Sequence, residues 1–296
     1  MANLKEIRTR IASVASTRQI TSAMKMVAAA KLKKAQDTVT NFRPYAFKMQ
    51  EIIMSVASSV GLAENNKYID DRDYRQVLIV VITSNRGLCG AFNSNVIKEA
   101  MQFAEKKYRT SSEPVIVRYM AIGKKGYDAL RKRNVLMEAV PNKDIIEQPT
   151  FENTSEVAHL LMDGFVSKRF DCIDIVYNEF INAASQKVIC KQFLPLIPEE
   201  KFEEKDKTAH IDYIFEPSKR KILNELIPQN LRIMLYGALL DSIASEFGAR
   251  MTSMHQATDN ATTLIQELTL QYNKARQASI TNEILEIVGG AEALKG

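Results

Sequence analysis

Between Ser84 and Asn93 the chain reads SNRGLCGAFN, a short loop with glycines at positions 87 and 90. A loop of this kind, placed after a strand and before a helix, is where backbone amides and a helix N-terminus cradle phosphate groups, so the chemistry it points to is nucleotide binding. The pattern stops short of that chemistry. Gly87 and Gly90 make neither GxGxxG nor the GK[ST] ending that supplies a lysine and a metal-ligating hydroxyl, and Gly123 and Gly126 further on are equally incomplete. The second reading of both loops is a tight strand-to-helix turn that also presents a binding surface. His159, His210 and His255 are scattered, with no second ligand at i+3 or i+4, which argues against a metal centre. No Ser/His/Asp group and no carboxylate pair can be assembled by spacing. Cys89, Cys172 and Cys190 have neither CxxC nor Cys/His spacing and read as reduced, buried thiols. The expectation is therefore no catalytic residue, no metal and no cofactor.

The elements around these loops have two periodicities. Gln76 to Thr83 (QVLIVVIT) is a continuous apolar strand, followed by the loop and a helix from about Asn95 to Tyr108. Pro114 to Ala121 repeats the scheme, with the loop Ile122 to Gly126 and a helix over Tyr127 to Arg133. Strand, loop and helix twice over predict a parallel sheet buried on both faces. Thr154 is expected to cap a third helix reaching about Arg169, and Asp171 to Phe180 with Gln186 to Phe193 form a hairpin. The charged stretch Glu199 to Lys207 reads as a surface loop, and Pro217 followed by Ser218 marks the start of the last helix.

Helical patterning dominates the two ends, over 1–56 and 218–290. At ~1.5 Å per residue the second would reach on the order of 100 Å, longer than a compact core can bury. Ala261, Ile265, Leu268, Tyr272, Ala275 and Ser279 step alternately by four and three, the narrow seam of a coiled coil. Leu4, Ile7, Ile11 and Val14, and then Ala28, Leu32, Ala35, Val39 and Phe42, give the first helix a matching stripe. Tyr236, Leu240, Ile243, Phe247, Met251 and Met254 contain two successive steps of four, a stutter that unwinds the supercoil locally. Pro44 is expected to kink the first helix near Asn41 to Pro44. The fold class that follows is α/β: a long antiparallel coiled coil of N- and C-terminal helices, 1–60 and 216–296, with a Rossmann-like α/β domain inserted at 70–215.

With 296 residues, 46% hydrophobic and 25% charged, the chain has the composition of a folded protein. Its longest apolar run, Val77 to Ile82, is far too short to cross a bilayer, and Lys5, Glu6, Arg8 and Arg10 interrupt any signal-peptide pattern. The formal charge is +5, but residues 1–48 hold ten Lys or Arg against Glu6 and Asp37. A basic helix of this kind meets an acidic protein surface, an acidic lipid or nucleic acid, or is merely solvated. Residues 252–281 instead carry many uncharged polar side chains, Thr252, Gln256, Thr258, Thr262 and Thr269 among them.

ITSAMKMVAAAKLKKAQ (Ile20 to Gln36), SNRGLCGAFN (Ser84 to Asn93), ARMTSMHQATDNA (Ala249 to Ala261) and NKARQASITNEILEIVGGAEAL (Asn273 to Leu294) together resemble, in this order, the gamma subunits of rotary proton-translocating ATP synthases. The resemblance covers essentially the whole chain. It implies a noncatalytic central-stalk rotor that couples proton flow through a membrane c-ring to ATP synthesis or hydrolysis. The paired terminal helices would enter a hexamer of alternating alpha and beta subunits, with the insert against epsilon and the c-ring. By match of motif it puts Met24 and Lys25 in the coupling region, and Arg250, Gln277 and Thr281 against the beta catch loops and sleeve. Lys31 and Lys33, on the basic helix, would face acidic lever loops of beta. The absence of a transit peptide points to a bacterium, hence a peripheral protein on the cytoplasmic side of the plasma membrane. Arg18, Gln19, His255, Lys295 and Gly296 depart from the usual pattern, and the chloroplast-type insert with paired cysteines is missing. The rival reading is a basic coiled-coil adaptor or nucleic-acid-binding protein.

Overall fold

The computed structural model describes residues 4–60, 67–69, 72–108, 114–140, 145–196 and 219–293. The chain forms two compact units, Met1–Ala30 with Arg250–Gly296, and Lys31–Ala249. Two helices, α1 (Leu4–Val60) and α5 (Lys219–Ala293), contribute to both.

The Lys31–Ala249 unit is built on a five-stranded sheet: β1 (Gln76–Ile82), β2 (Ile116–Ile122), β3 (Leu136–Glu138), β4 (Cys172–Asn182) and β5 (Ser185–Leu194). Its order is β3-β2-β1-β4-β5, parallel except where β5 turns back on β4. The connecting helices are α2 (Phe92–Tyr108), α3 (Lys124–Arg131) and α4 (Phe151–Val166). β1 lies in the middle, and Val77 to Ile82 are wholly excluded from solvent. Such a strand needs apolar groups on both faces, which is why it reads as a continuous run. Leu78, Val80 and Ile82 join a core with α4 residues Val157, Leu161 and Phe165 and α5 residues Leu231, Leu235 and Leu239. Val77, Ile79 and Val81 face the other way, to Val96, Ile97 and Ala100 of α2.

Within this unit α1 and α5 pair antiparallel. Lys31 sits over the Phe247 ring at 5.5 Å, Phe42 meets Tyr236 edge-on at 5.1 Å, and Gln229 Nε2 donates to Tyr45 Oη at 3.0 Å, so partners on α5 descend as α1 ascends. Arg43 donates to Asp241 Oδ1 at 3.2 Å, beside these contacts. Burial lifts the Asp241 carboxyl above the usual carboxylate range, with Arg43 pulling the other way. In the other unit the stripe expected from spacing is the buried one: Ile7 and Ala28 on α1, Ala261 and Leu268 on α5.

Several local expectations change. The N-cap of α4 is Thr150, whose side chain accepts from Asn153 N at 3.2 Å; Thr154 is buried one turn inside, donating its hydroxyl to Thr150 O at 2.9 Å. A threonine in a helix interior can satisfy itself in this way, which removes the need for a terminus there. The helix stops at Val166, not near Arg169, because Lys168 takes a left-handed conformation (φ 59°) and Arg169 N and Phe170 N turn back to Gly164 O at 2.9 and 3.1 Å. α2 starts three residues before Asn95 and α3 starts at Lys124, inside the expected loop. α1 continues as one helix through Pro44, as a proline kink permits, and Pro44 lies exposed, so the carbonyl that loses its amide partner is on the wet side. The short β3 was not expected. The charged stretch 199–207 and Pro217–Ser218 lie outside the described residues.

A polar cluster interrupts the α2 face of the sheet. Asp174 on β4 is fully buried and accepts from the Tyr108 hydroxyl and from Lys107 Nζ, the latter at 2.9 Å. Lys107 also donates to Gln192 Oε1 at 3.0 Å, and its ammonium lies 5.1 to 6.0 Å from the Tyr108, Phe103 and Tyr74 rings. Burial raises the Asp174 carboxyl pKa, outweighing the lowering by Lys107 and Tyr108. A folded pKa above the unfolded value means that this group stabilises fully below the unfolded pKa and that the contribution is lost as pH rises through the folded one. We therefore predict that the stability cost of Asp174→Asn, read by urea unfolding between about pH 4 and 7, is larger at the acid end. A cost that grows toward neutral pH would mean that the ion pair with Lys107 outweighs the burial.

Candidate functional site

Two places carry the residues singled out from sequence, one in each unit. In the Lys31–Ala249 unit the loops after β1 and β2 meet at the carboxyl ends of the strands, where parallel sheets bind phosphates. The amides at the start of α3 are already taken. Lys124 N, the first amide of α3, donates to Asn85 Oδ1 at 3.0 Å, Lys125 N to Ser84 O at 3.1 Å, and Gly126 N to Thr83 Oγ1 at 2.9 Å. Gly123 has φ 111°, and a Cβ there would stand 2.2 Å from Thr83 O, so glycine is required for the two loops to close on each other. In the SNRGLCGAFN loop Ser84 and Asn93 tie the two ends together. Ser84 N donates to Asn93 Oδ1 at 3.0 Å, Asn93 Nδ2 to Ser84 Oγ at 2.8 Å and to Cys89 Sγ at 3.2 Å, and Ser84 Oγ to Arg86 O at 2.6 Å. Of the two readings of these glycines, the tight-turn reading accounts for the geometry.

Metal chemistry finds no better footing: among the described residues no three His, Cys, Asp or Glu side chains are grouped to hold an ion. His159 is exposed, and His210 lies outside the described residues. The expectation of no ligand at i+4 fails for two histidines, since Asp163 follows His159 and Asp259 follows His255 at that spacing; Asp259 lies 3.3 Å from His255, with both side chains more than half exposed.

In the coiled-coil unit, Met24 and Lys25 are half-buried neighbours on α1, and Gln277 and Thr281 are exposed on α5, joined by Thr281 Oγ1 donating to Gln277 O at 2.9 Å. Arg250 is 9% exposed, an interior rather than a surface position within this chain. Lys31 and Lys33, in the other unit, are both exposed, and the Lys31 ammonium rests over Phe247.

Sequence spacing did not disclose how the threonines spend their hydrogens. Thr258, Thr262, Thr263, Thr269 and Thr281 each donate to the carbonyl four residues back, at 2.7 to 3.2 Å. A hydroxyl has one hydrogen, so once it is given to the helix only lone pairs and a methyl group face outward. The apolar tip is plainer. Ile280, Ile284, Leu285, Ile287 and Val288 are 48 to 71% exposed, and Ile20, Met26 and Val27 on α1 are also bare. Apolar surface of this extent marks a place where another protein sits.

The family model described as ATP synthase matches residues 3–294. The ATP synthase gamma chains of Flavobacterium psychrophilum and Flavobacterium johnsoniae are 52% and 54% identical, each match covering 100% of both chains. The chain belongs to the ATP synthase gamma-chain family. A chain of the Tetrahymena thermophila mitochondrial ATP synthase central stalk and c-ring is 27% identical with a TM-score of 0.57, over 80% of this chain and 99% of that one. Gamma chains are noncatalytic rotor subunits of the central stalk. Nothing favours the adaptor or nucleic-acid reading.

In the coiled-coil unit of this gamma chain a polar contact joins α1 and α5. Thr258 Oγ1 lies 2.9 Å from Thr21 Oγ1, while Thr21 Oγ1 donates to Arg18 O at 3.0 Å. Thr258 must then choose between Thr21 and its own Met254 carbonyl. Because either valine variant leaves the other hydroxyl a local acceptor, each should cost less than about 1 kcal/mol. A double-mutant cycle of Thr21→Val and Thr258→Val should give a coupling of ~0.5 kcal/mol in thermal unfolding. Strict additivity would show that Thr258 bonds only within its helix.

Proposed function

We propose that this gamma chain is the rotating shaft of a bacterial ATP synthase, with its coiled coil turning inside a hexamer of alternating alpha and beta subunits. In this reading the two arms, 1–60 and 216–296, form the shaft, and the insert at 70–215 receives torque from the c-ring and epsilon. Proton flow through the ring drives ATP synthesis, and ATP hydrolysis drives it backward. The observation that carries the reading is the bare apolar tip over 280–288, which needs an enclosing apolar bearing. No described helix is long and apolar enough to cross a membrane, in keeping with a peripheral place on the cytoplasmic face of the plasma membrane, reached through the complex.

The residue roles follow the same chemistry. Met24 and Lys25 lie in the coupling region, and Lys31 and Lys33 offer positive charge to acidic lever loops of beta. Gln277 and Thr281 supply exposed polar groups to the beta catch loops and sleeve, whereas Arg250, buried within the chain, is not placed to meet them. A shaft with unequal faces gives identical beta subunits different contacts at any one angle, so rotation shifts each in turn between states.

Affinity purification of the tagged chain from native membranes tests this directly: alpha, beta and epsilon should come with it, and recovery of the chain alone would defeat the proposal. Added to purified alpha and beta it should support ATP hydrolysis, whereas alone it should give none. The shaft makes a second prediction. Leu268 is 4% exposed on the seam, and proline there removes an interior helical bond at a cost of about 3 kcal/mol. Leu268→Pro should keep the sheet, seen by circular dichroism, yet support poor ATP synthesis, while truncation after Leu285 should be milder. The reverse ranking would show that the tip, and not the paired helices, bears the torque.

A further inference from the structure

In a parallel sheet the crevice for a nucleotide opens where neighbouring strands send their connections to opposite sides. Here that point lies between the carboxyl ends of β1 and β4. It is filled by protein, and the filler is α5. Ser245 Oγ donates to the Asn178 carbonyl near the end of β4 at 3.2 Å, in a buried contact. One turn on, Gly248 passes the β4–β5 turn so closely that a Cβ on it would stand 3.1 Å from Ala183 O. Ala249 packs with Cys89 and Phe92, from the loop after β1 and the first residue of α2. Positions 245, 248 and 249 share one helix face.

Both sides of this contact are held firmly. The turn carrying Ala183 is tied by Asn182 Oδ1, which accepts from Ala184 N at 3.0 Å and Ser185 N at 2.8 Å. The loop carrying Cys89 is tied by the Ser84 and Asn93 bonds. A backbone carbonyl facing a helical glycine cannot swing aside as the end of a flexible side chain can, so the fit admits hydrogen and little more.

We propose that this occupied crevice is the clasp through which the insert turns the shaft, with Gly248 and Ser245 as positioning residues for rotary coupling. It rests on the rotor reading and adds where torque passes between the sheet and α5. The clasp works as a closed, rigid contact throughout turnover, because torque delivered to the insert reaches α5 only as far as the two do not slip.

The test uses the assembled ATP synthase in inverted membrane vesicles, carrying Gly248→Leu or, as a milder change, Ser245→Ala. ATP-driven proton pumping and ATP hydrolysis are measured on one preparation of each. Pumping per ATP hydrolysed should fall severalfold for Gly248→Leu and less for Ser245→Ala, with hydrolysis retained. Normal pumping in both would show that the contact transmits nothing and would overturn the proposal. Failure of the parent chain to assemble with alpha and beta would instead defeat the rotor reading itself.

Discussion

A helix whose apolar stripe is one or two side chains wide has no stable existence alone in water, since ordering its backbone costs more than so narrow a face returns. The pairing of α1 with α5 answers that constraint, and the rest of the chain is arranged around it. Because the two helices come from opposite ends of the sequence and run antiparallel, everything between them must start and finish on the same side. The sheet provides that return path and also buries α1 and α5 residues in its own core, Ala35 and Val39 among them. Removal of either helix would expose one face of the sheet as well as the stripe of the other helix.

The sheet itself keeps the outline of a nucleotide-binding fold without its chemistry. A phosphate site needs unsatisfied amides converging on a space, and here the amides at the start of α3 end on Asn85, Ser84 and Thr83 while α5 takes the space. The cluster of half-buried Lys107 with buried Asp174 and Tyr108 adds a second kind of stiffness. An ion pair of this sort contributes little net stability, yet removal of one partner strands the other, which penalises any altered register of α2 on β4 and β5.

Legibility in sequence followed the strength of periodic signals. β1 was plain because Val77 to Ile82 must be apolar on both faces, and the seam through Ala261 and Leu268 was plain because four-three stepping has few other causes. The start of α4 was misplaced because Thr150 and Thr154 are chemically equivalent caps one turn apart, and only the backbone decides between them. β3, three residues long, is held by its pairing to β2 and has no pattern of its own. Motif resemblance pointed to Gln277 and Thr281, which are exposed, and equally to Arg250, which is buried within the chain, because a motif carries no information on burial. Gly248 escaped notice as a contact because a lone glycine in a helix has no signature until the carbonyl opposite it is known.

The threonine back-bonds of α5 have a consequence for whatever surrounds it. A wall facing Thr262, Thr263, Thr269 and Thr281 meets methyl groups and oxygen lone pairs, because the hydroxyl hydrogens are engaged with carbonyls of the helix itself. Carboxylates and carbonyls brought against those hydroxyls gain nothing there, and only N–H or O–H donors can bond to them. Grip at these positions is thus rationed by the composition of the wall: a sleeve poor in outward amide or guanidinium hydrogens would let this stretch glide, and each one that it gained would act as a detent of ~1 kcal/mol.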